Sequence, residues 1–454
     1  MGASDGGMTR EARSLDQQFA DAMGDLLGPD FPEDIALAVS GGGDSMAMLT
    51  LAHNWTHRWG VRLWVVTVDH GLRPESAAEA EMVAEECRTL GHPHATLRWD
   101  WDGQGNVMDA ARRARLGLIE QWRGGINHVL MAHTRDDIAE TLLMRLARGS
   151  GVEGLSAMQA RRRVLPATTP GVITGDSPPQ PATRRAGFEV IRPCLSMGRE
   201  ALRHYLRTLK GRWVDDPSNE DPRYDRARLR QQIAALGLDP QGLAETARRM
   251  DRARGALQAR AAQVWGEIGR EDRAGSVATG DLLLDRTGFE AIERDTQLRL
   301  LAGALQYIAT ADYRPRAEPL EALLERLLGG GGGTLHGCEA RAERDVIRVF
   351  REFRAVAQVT QSVGEAGLWD GRWHVLGDAS HGKTIRALGE NGWQQLKQRP
   401  DGAPPYHAAR SLPSIWDGDR LLACDALGFG PGTTTRLWPM GKELFSVEAF
   451  LLSH

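Results

Sequence analysis

The first third of the chain alternates short apolar runs with amphipathic stretches. Residues 34–39 (DIALAV), 61–69 (VRLWVVTVD), 94–99 (HATLRW) and 127–132 (NHVLMA) are compact and rich in Val, Ile and Leu. Runs of that kind suit strands buried on both faces of a parallel sheet. Between them, helices are expected at about 44–58, 75–90, 107–123 and 135–148. In the last, Ile138, Leu142 and Leu146, with neighbouring Leu143, form an i, i+4, i+8 stripe. The rhythm is β-α-β-α, which predicts an open α/β sheet with its ligand at the carboxyl ends of the strands. Residues 166–187 are rich in Pro, Gly and Thr without periodicity and read as a mobile insertion. A short strand over 188–193 then rejoins the domain. From about 237 to 267, Leu243, Ala247, Met250, Leu257, Ala261 and Val264 recur at helical spacing, so a helical region follows. The five glycines Gly329 to Gly333 precede two β-like segments near 334–340 and 345–350. Beyond about 360, short alternating runs such as Trp369 to Leu376 and Ile415 to Ala423, separated by Asp-Gly turns, read as a small β-containing region. The expected division is 1–235, 236–355 and 356–454.

Composition narrows the class. At 454 residues the chain is too long for one ordinary core. With 41% hydrophobic and 26% charged residues it reads as soluble and globular. No apolar run approaches the roughly 18 residues of a membrane span, and Met1 to Arg13 lacks the apolar core of a secretory signal. Cys87, Cys194, Cys338 and Cys424 lie far apart with no CxxC pair. That argues against a zinc cluster or disulfide scaffold and fits the cytoplasm. Lys plus Arg is 56 and Asp plus Glu is 60, a net charge of −4, which disfavours a generic nucleic-acid coat. The arginines nevertheless crowd between 140 and 230, sixteen of them from Arg145 to Arg230, a regional bias toward a polyanionic partner.

The chemistry concentrates at strand ends. The first strand runs into Ser40-Gly41-Gly42-Gly43-Asp44-Ser45 and then a helix. Three glycines let the backbone approach a phosphate and adopt φ > 0 where needed. Their N–H groups, with those of the opening helical turn, make an anion cradle reinforced by the helix dipole. Ser40 and Ser45 add hydroxyl donors, while Asp44 can cap the helix or hold magnesium. No lysine is present, so neutralisation of a phosphate must come from a metal and from elsewhere. A second stretch, Gly377 to Thr384, satisfies GxxxxGK[ST] literally. It lacks the room for a βαβ sheet behind it, and a hairpin turn is expected there instead. Asp69 and His70 end the second strand, where they can contact a nucleotide or cap the next helix. After the fourth strand, His133, Asp136, Asp137 and Glu140 fall within one helical turn. Such a cluster can bind a cation, either magnesium or an amino group. Helix capping is the alternative, but one carboxylate would suffice for it.

Strand-SGGxDS-helix resembles the signature of the PP-loop ATP pyrophosphatases. The segments VDHGLRPES (68–76), AHTRDDIAETLLMRLARGSGVEGLSAM (132–158), RPCLS (192–196) and DPSNEDPRYDRARLR (216–230) are similar to those of the tRNA(Ile)-lysidine synthases. The likeness is dense over about 34–230 and thinner beyond. It implies an adenine nucleotide α-hydrolase-like, parallel-sheet PP-loop domain, followed by a helical domain and a small α+β C-terminal domain, the last two binding tRNA. It also implies a reaction. The wobble cytidine of a CAU-anticodon tRNA(Ile) is adenylated by ATP, with release of pyrophosphate. The amino group of free L-lysine then attacks C2 and displaces AMP.

By the same resemblance, Ser40 to Ser45 with Asp69 and His70 hold ATP. Asp44, His133, Asp136, Asp137 and Glu140 form the reacting centre, with Mg2+ at Asp44 and Asp137. Asn106, Arg112 and Arg115 match an N-x5-R-x2-R stretch near the active site, and Arg223, Tyr224, Arg226 and Arg228 match a basic segment near the nucleotides. Leu116 and Ala227 depart from the pattern, standing where an aromatic and an Asn are usual. A tRNA thiolase would need a catalytic cysteine, often paired, and an amidotransferase-type synthetase would bring a glutaminase domain. Neither feature is present. A protein that keeps the loop only to sense nucleotides or bind RNA is the other alternative, and the intact acidic residues speak against it.

Overall fold

A computed structural model of the chain describes residues 13–453 apart from 73, 102, 104–106, 167–168, 184–185, 216–224, 377–381, 399, 401 and 432, and the side chain of Asp225. The described chain forms two compact units, one ending at Arg252 and the other beginning at Ala253.

In the first unit, strands β1 (Asp34–Ala38), β2 (Arg62–Asp69), β3 (His94–Trp99), β4 (His128–Met131), β5 (Arg161–Val164), β6 (Gly171–Gly175) and β7 (Phe188–Ile191) make one sheet in the order β5-β7-β4-β1-β2-β3-β6. The five inner strands run parallel, and the two edge strands pair antiparallel. Period-two alternation divides their apolar residues between two cores. Ile35, Leu37, Leu63, Val65, Leu130 and Ile191 face helices α1 (Leu15–Leu27), α2 (Gly43–Trp59), α3 (Ser76–Leu90) and a later helix, 199–209. Ala36, Val66, Leu97, Val129 and Val190 face α4 (Val107–Trp122). Each fully buried Val, Leu or Ile contributes ~1.5–3 kcal/mol, so both layers of helices are held where the apolar runs require them. The chain winds from β1 through β2 to β3 on one side, then returns to place β4 on the other side of β1. That reversal is the topological switch point, where ligands bind in sheets of this class.

Three details differ from the sequence reading. On helix α5 (Arg135–Leu146), Ile138 and Leu142 pack against Ala244 and Ala247 of the helix Pro240–Ile268, but Leu146 is 55% exposed, so the stripe ends one turn early. Within the Pro- and Gly-rich segment, β6 pairs with β3 from Ala95 to Trp99 although its side chains are exposed. It is held by backbone hydrogen bonds, and a Cβ at Gly171 would lie 2.5 Å from the Arg98 carbonyl oxygen. In the second unit, β8 (Gly269–Ala274) and β9 (Val277–Asp285) form an unforeseen hairpin that completes an antiparallel sheet with β10 (Gly332–Leu335), β11 (Cys338–Ala342) and β12 (Val346–Arg351). The helix Arg294–Ala309 is buried along most of its length against that sheet's core.

The last segment carries two small sheets. One joins β13 (Gln361–Ser362), β15 (Lys383–Ala387), β16 (Pro413–Asp417) and β17 (Arg420–Ala423); the other pairs β14 (Trp373–Val375) with β18 (Thr435–Leu437). The expected Asp-Gly turn links β16 to β17, with Gly418 at φ +54°. No described helix is long and apolar enough to cross a membrane. Of the second glycine-lysine motif, 377–381 lie outside the described residues. Lys383 and Thr384 begin β15, paired with β13 and β16, where a phosphate loop would require a helix. Lys383→Ala is therefore expected to leave the rate of ATP consumption within about twofold of the parent in a pyrophosphate-release assay. A rate loss with unchanged folding would return this lysine to the ATP site.

Candidate active site

Two chain reversals meet at the switch point. After β1, Ser40 to Gly42 turn sharply into α2. Gly41 takes φ +82°, a backbone region that any side chain would strain. Gly42 caps α2 without a side-chain hydrogen bond, so no cap side chain takes up the first N–H groups of the 17-residue helix, the kind of terminus that receives anions. The serines brace the turn. Ser45 Oγ donates to the Gly42 carbonyl at 2.9 Å and accepts from the Ser40 N–H at 3.1 Å, and the two hydroxyls lie 3.2 Å apart. The Gly41 carbonyl accepts from the Val214 N–H at 2.9 Å, which ties the loop to the chain beyond α7 (Arg199–Leu209).

After β4, Thr134 caps α5. Its N–H and hydroxyl donate to Asp137 Oδ2 at 2.8 and 2.9 Å, and its Oγ1 accepts from the Asp137 N–H at 3.4 Å. Capping thus uses one oxygen of one carboxylate. Asp136 Oδ2 accepts the Arg199 N–H at 2.8 Å and so caps α7. One oxygen each of Asp44, Asp137 and Glu140 converges on the Arg199 side chain. Its Nε donates to Asp44 Oδ2 at 3.1 Å, its Nη1 to Glu140 Oε1 at 2.9 Å and its Nη2 to Asp137 Oδ1 at 3.3 Å. Arg230, on α8 (Asp225–Ala235), donates from Nε to the same Glu140 oxygen at 2.6 Å. Removing one partner from a buried set of this kind costs about 3–5 kcal/mol.

The electrostatics follow from this packing. Burial raises the Asp44 pKa, with Arg199 opposing only in part. Burial also acts to raise Asp137, but Arg199, the Thr134 N–H and His133 outweigh it and hold that carboxyl below its usual range. Burial penalises the Arg199 cation, yet Glu140, Asp137 and Asp44 together raise its pKa. Asp44 Oδ1 is buried without a hydrogen-bond partner. One unpaired carboxylate oxygen beside an anion cradle suits a magnesium ion, which takes one or two carboxylates and completes its shell with phosphate oxygens and water.

The side chains around His133 are mostly cationic. His133 Nδ1 accepts from Arg192 Nε at 3.2 Å, which leaves the imidazole proton on Nε2. Burial, and then Arg192, bring the His133 pKa down to about 4, so this ring is neutral at pH 7. Burial and Arg115 do the same to His70, also to about 4; its ring meets Trp99 edge-on at 5.8 Å. Arg192 is held by the Gln159 carbonyl at 2.7 Å, and its pKa falls to about 10 through burial and repulsion from Arg162 and Arg112. Lost hydration, then Arg112 and Arg226, likewise lower Arg115. Buried Arg192 thus sits among the exposed guanidiniums of Arg112, Arg115, Arg162 and Arg226, a gathering of like charges that suits an anionic partner.

Asp69 accepts from the Gly71 N–H at 2.8 Å and shapes the turn after β2. Arg226 and Arg228 lie on the first turn of α8, exposed, with Ala227 buried between them. Asn106, Arg223 and Tyr224 lie outside the described residues. The sequence reading named neither Arg199 and Arg230 nor Arg192 as site residues. Arg192 sits in the RPCLS motif, but nothing in the spacing of Arg199 separates it from its fifteen neighbours.

The chain matches a PP-loop domain family over residues 14–236. The tRNA(Ile)-lysidine synthase of Ruegeria pomeroyi is 40% identical to it over 93% of this chain and 95% of its own length. The enzyme of that name from Bradyrhizobium sp. strain BTAi1 is 39% identical over 69% of this chain and 89% of its own. That from Wolbachia pipientis wMel is 29% identical over 87% and 88% respectively.

All four cysteines are buried. Burial pushes the thiols of Cys87, Cys338 and Cys424 up to about 12, and it raises that of Cys194, close to Asp44, as well. The thiolate is the reactive form, so these are packing residues. Iodoacetamide at neutral pH is expected to leave the native protein unmodified and to label all four in denaturant, read by intact-mass spectrometry. Rapid native labelling of Cys194 would reopen sulfur chemistry at this site.

Proposed function

The chain belongs to the tRNA(Ile)-lysidine synthase family, and on that basis we propose that it converts the wobble cytidine of a CAU-anticodon tRNA(Ile) to lysidine. The observation that carries this reading is the meeting, at one switch point, of a phosphate cradle, a carboxylate set and a cationic wall. Each suits one reactant. ATP binds with its phosphates on the N–H groups of Gly42, Gly43 and the first turn of α2. Asp69 and His70, at the end of the neighbouring strand, border the nucleotide. Cytidine O2 attacks the α-phosphorus of ATP and pyrophosphate leaves. The lysine amine then attacks C2, AMP departs with the C2–O bond, and the amine proton is lost to solvent or to a carboxylate.

Within this scheme Asp136, Asp137 and Glu140 provide the negative field that draws an ammonium into the crevice. Neutral His133 offers its Nε2 proton as a donor that costs no charge. Asp44 would hold Mg2+ through its unpaired Oδ1, screening the triphosphate where a lysine is absent from the loop, while Asp137, the second carboxylate expected at the metal, has its oxygens engaged by Thr134 and Arg199. Arg112, Arg115, Arg192 and Arg226 oppose the phosphates of the anticodon, with Asn106, Arg223, Tyr224 and Arg228 assigned to the same surface by family resemblance. Residues 236–355 and 356–454 are taken as the parts that grip the tRNA body. Four unpaired, buried thiols suit work in the reducing cytoplasm.

With ATP, labelled lysine and a panel of tRNAs, incorporation is expected only into CAU-anticodon tRNA(Ile). Incorporation into none, with pyrophosphate exchange driven by another acceptor, would sink the proposal. Asp44→Ala is expected to lower AMP formation by about 10²–10³-fold or more, while tRNA affinity in a filter-binding assay changes less than about threefold. Loss of both together would make Asp44 a structural residue.

A further inference from the structure

We propose that Arg199 is a positioning residue that couples the two halves of the site, so that occupation of the ATP loop opens the acidic pocket to lysine. The inference rests on the functional reading above and extends it to the order of binding.

Arg199 is the first residue of α7. A cation there faces the positive end of the helix dipole, an unfavourable place, so helix stability does not explain it. What holds it is the carboxylates: Asp44 from the loop after β1, and Asp137 and Glu140 from the helix after β4. The planar guanidinium presents its donors in a fixed fork, and here three of its nitrogens serve three separate side chains. A shift toward one carboxylate therefore loosens the others. The contact to Asp137 Oδ1, at 3.3 Å, is the longest of the three and the first to release.

The direction of the shift follows from charge. A triphosphate on the α2 cradle lies beside Asp44 and brings a denser negative field than that single carboxylate. Arg199 is drawn toward the loop, its Nη2 leaves Asp137 Oδ1, and Glu140 keeps Arg230 as its cation. One carboxylate charge is then uncompensated, facing the position where the acceptor must enter. The incoming ammonium takes the place that the guanidinium vacates. Without ATP, the same guanidinium stands in that place, and lysine binding has to displace it.

The test measures lysine affinity by calorimetry, with and without a non-hydrolysable ATP analogue and Mg2+. In the parent protein the analogue should tighten lysine binding by about fivefold or more, the lower range of allosteric couplings. In Arg199→Gln the ratio should fall to within about twofold of one, while the analogue still binds. Arg199→Lys keeps the charge but not the fork, and its ratio should lie well below the parent's. It decides the matter should the Gln variant fail to show a cooperative thermal transition. A parent ratio near or below one, or a full ratio in a folded variant, overturns the coupling. No lysine binding even with the analogue bound would instead overturn the functional reading itself.

Discussion

A buried carboxylate persists as an anion only where cations are held against it. Glu140 is 1% exposed and Asp137 7% exposed, and Asp44 sits beside them on another element. The guanidinium of Arg199 pairs with all three. Much of the first unit serves that contact. The β1 loop, the β4 helix and α7 must arrive at one point, and the parallel sheet with its switch between β1 and β4 brings them there. The backbone closes the same arrangement from outside, through Val214 on the Gly41 carbonyl and Asp136 on the first N–H of α7.

Most of this framework is written in local patterns. Residues such as Ile35, Leu37, Val65 and Leu130 announce inner strands because both faces of those strands are covered. The loop at Ser40 to Ser45 is legible because a tight turn, a positive φ at Gly41 and an open helix terminus each demand a particular residue type. Arg199 is different. Its role depends on the distance between segments 155 and 59 residues away in sequence, and its residue type is common in that region. The strand β6 escaped for another reason: its side chains, Val172 and Ile173 included, are exposed, so no alternation of buried and exposed positions marks it. The β8–β9 hairpin follows directly on a 29-residue helix, with charged residues in β8 masking the alternation. The stripe on α5 over-reached at Leu146 because helical spacing shows which positions share a face, not how far a neighbour extends.

The two walls of the crevice are built on opposite electrostatic principles. On one, acids are compensated internally by Arg199 and Arg230. On the other, Arg112, Arg115, Arg192 and Arg226 oppose one another, and burial, reinforced by arginines, keeps His133 and His70 neutral. A self-neutralised wall exchanges one cation for another at small cost, whereas a self-repelling wall gains by taking up an anion. Lysine and a polynucleotide are reactants of those two kinds.

The exposed strand β6 has a consequence outside the active site. Without it, β3 would end the sheet with a row of unpaired N–H and C=O groups, a template for joining a second molecule edge to edge. Five residues bounded by Gly171 and Gly175 cover that row while offering only a short, glycine-flanked border of their own. A segment whose side chains are exposed thereby covers the edge of β3 through its backbone, and the pairing constrains its two glycines, where a Cβ would meet the β3 carbonyls, more than the residues between them.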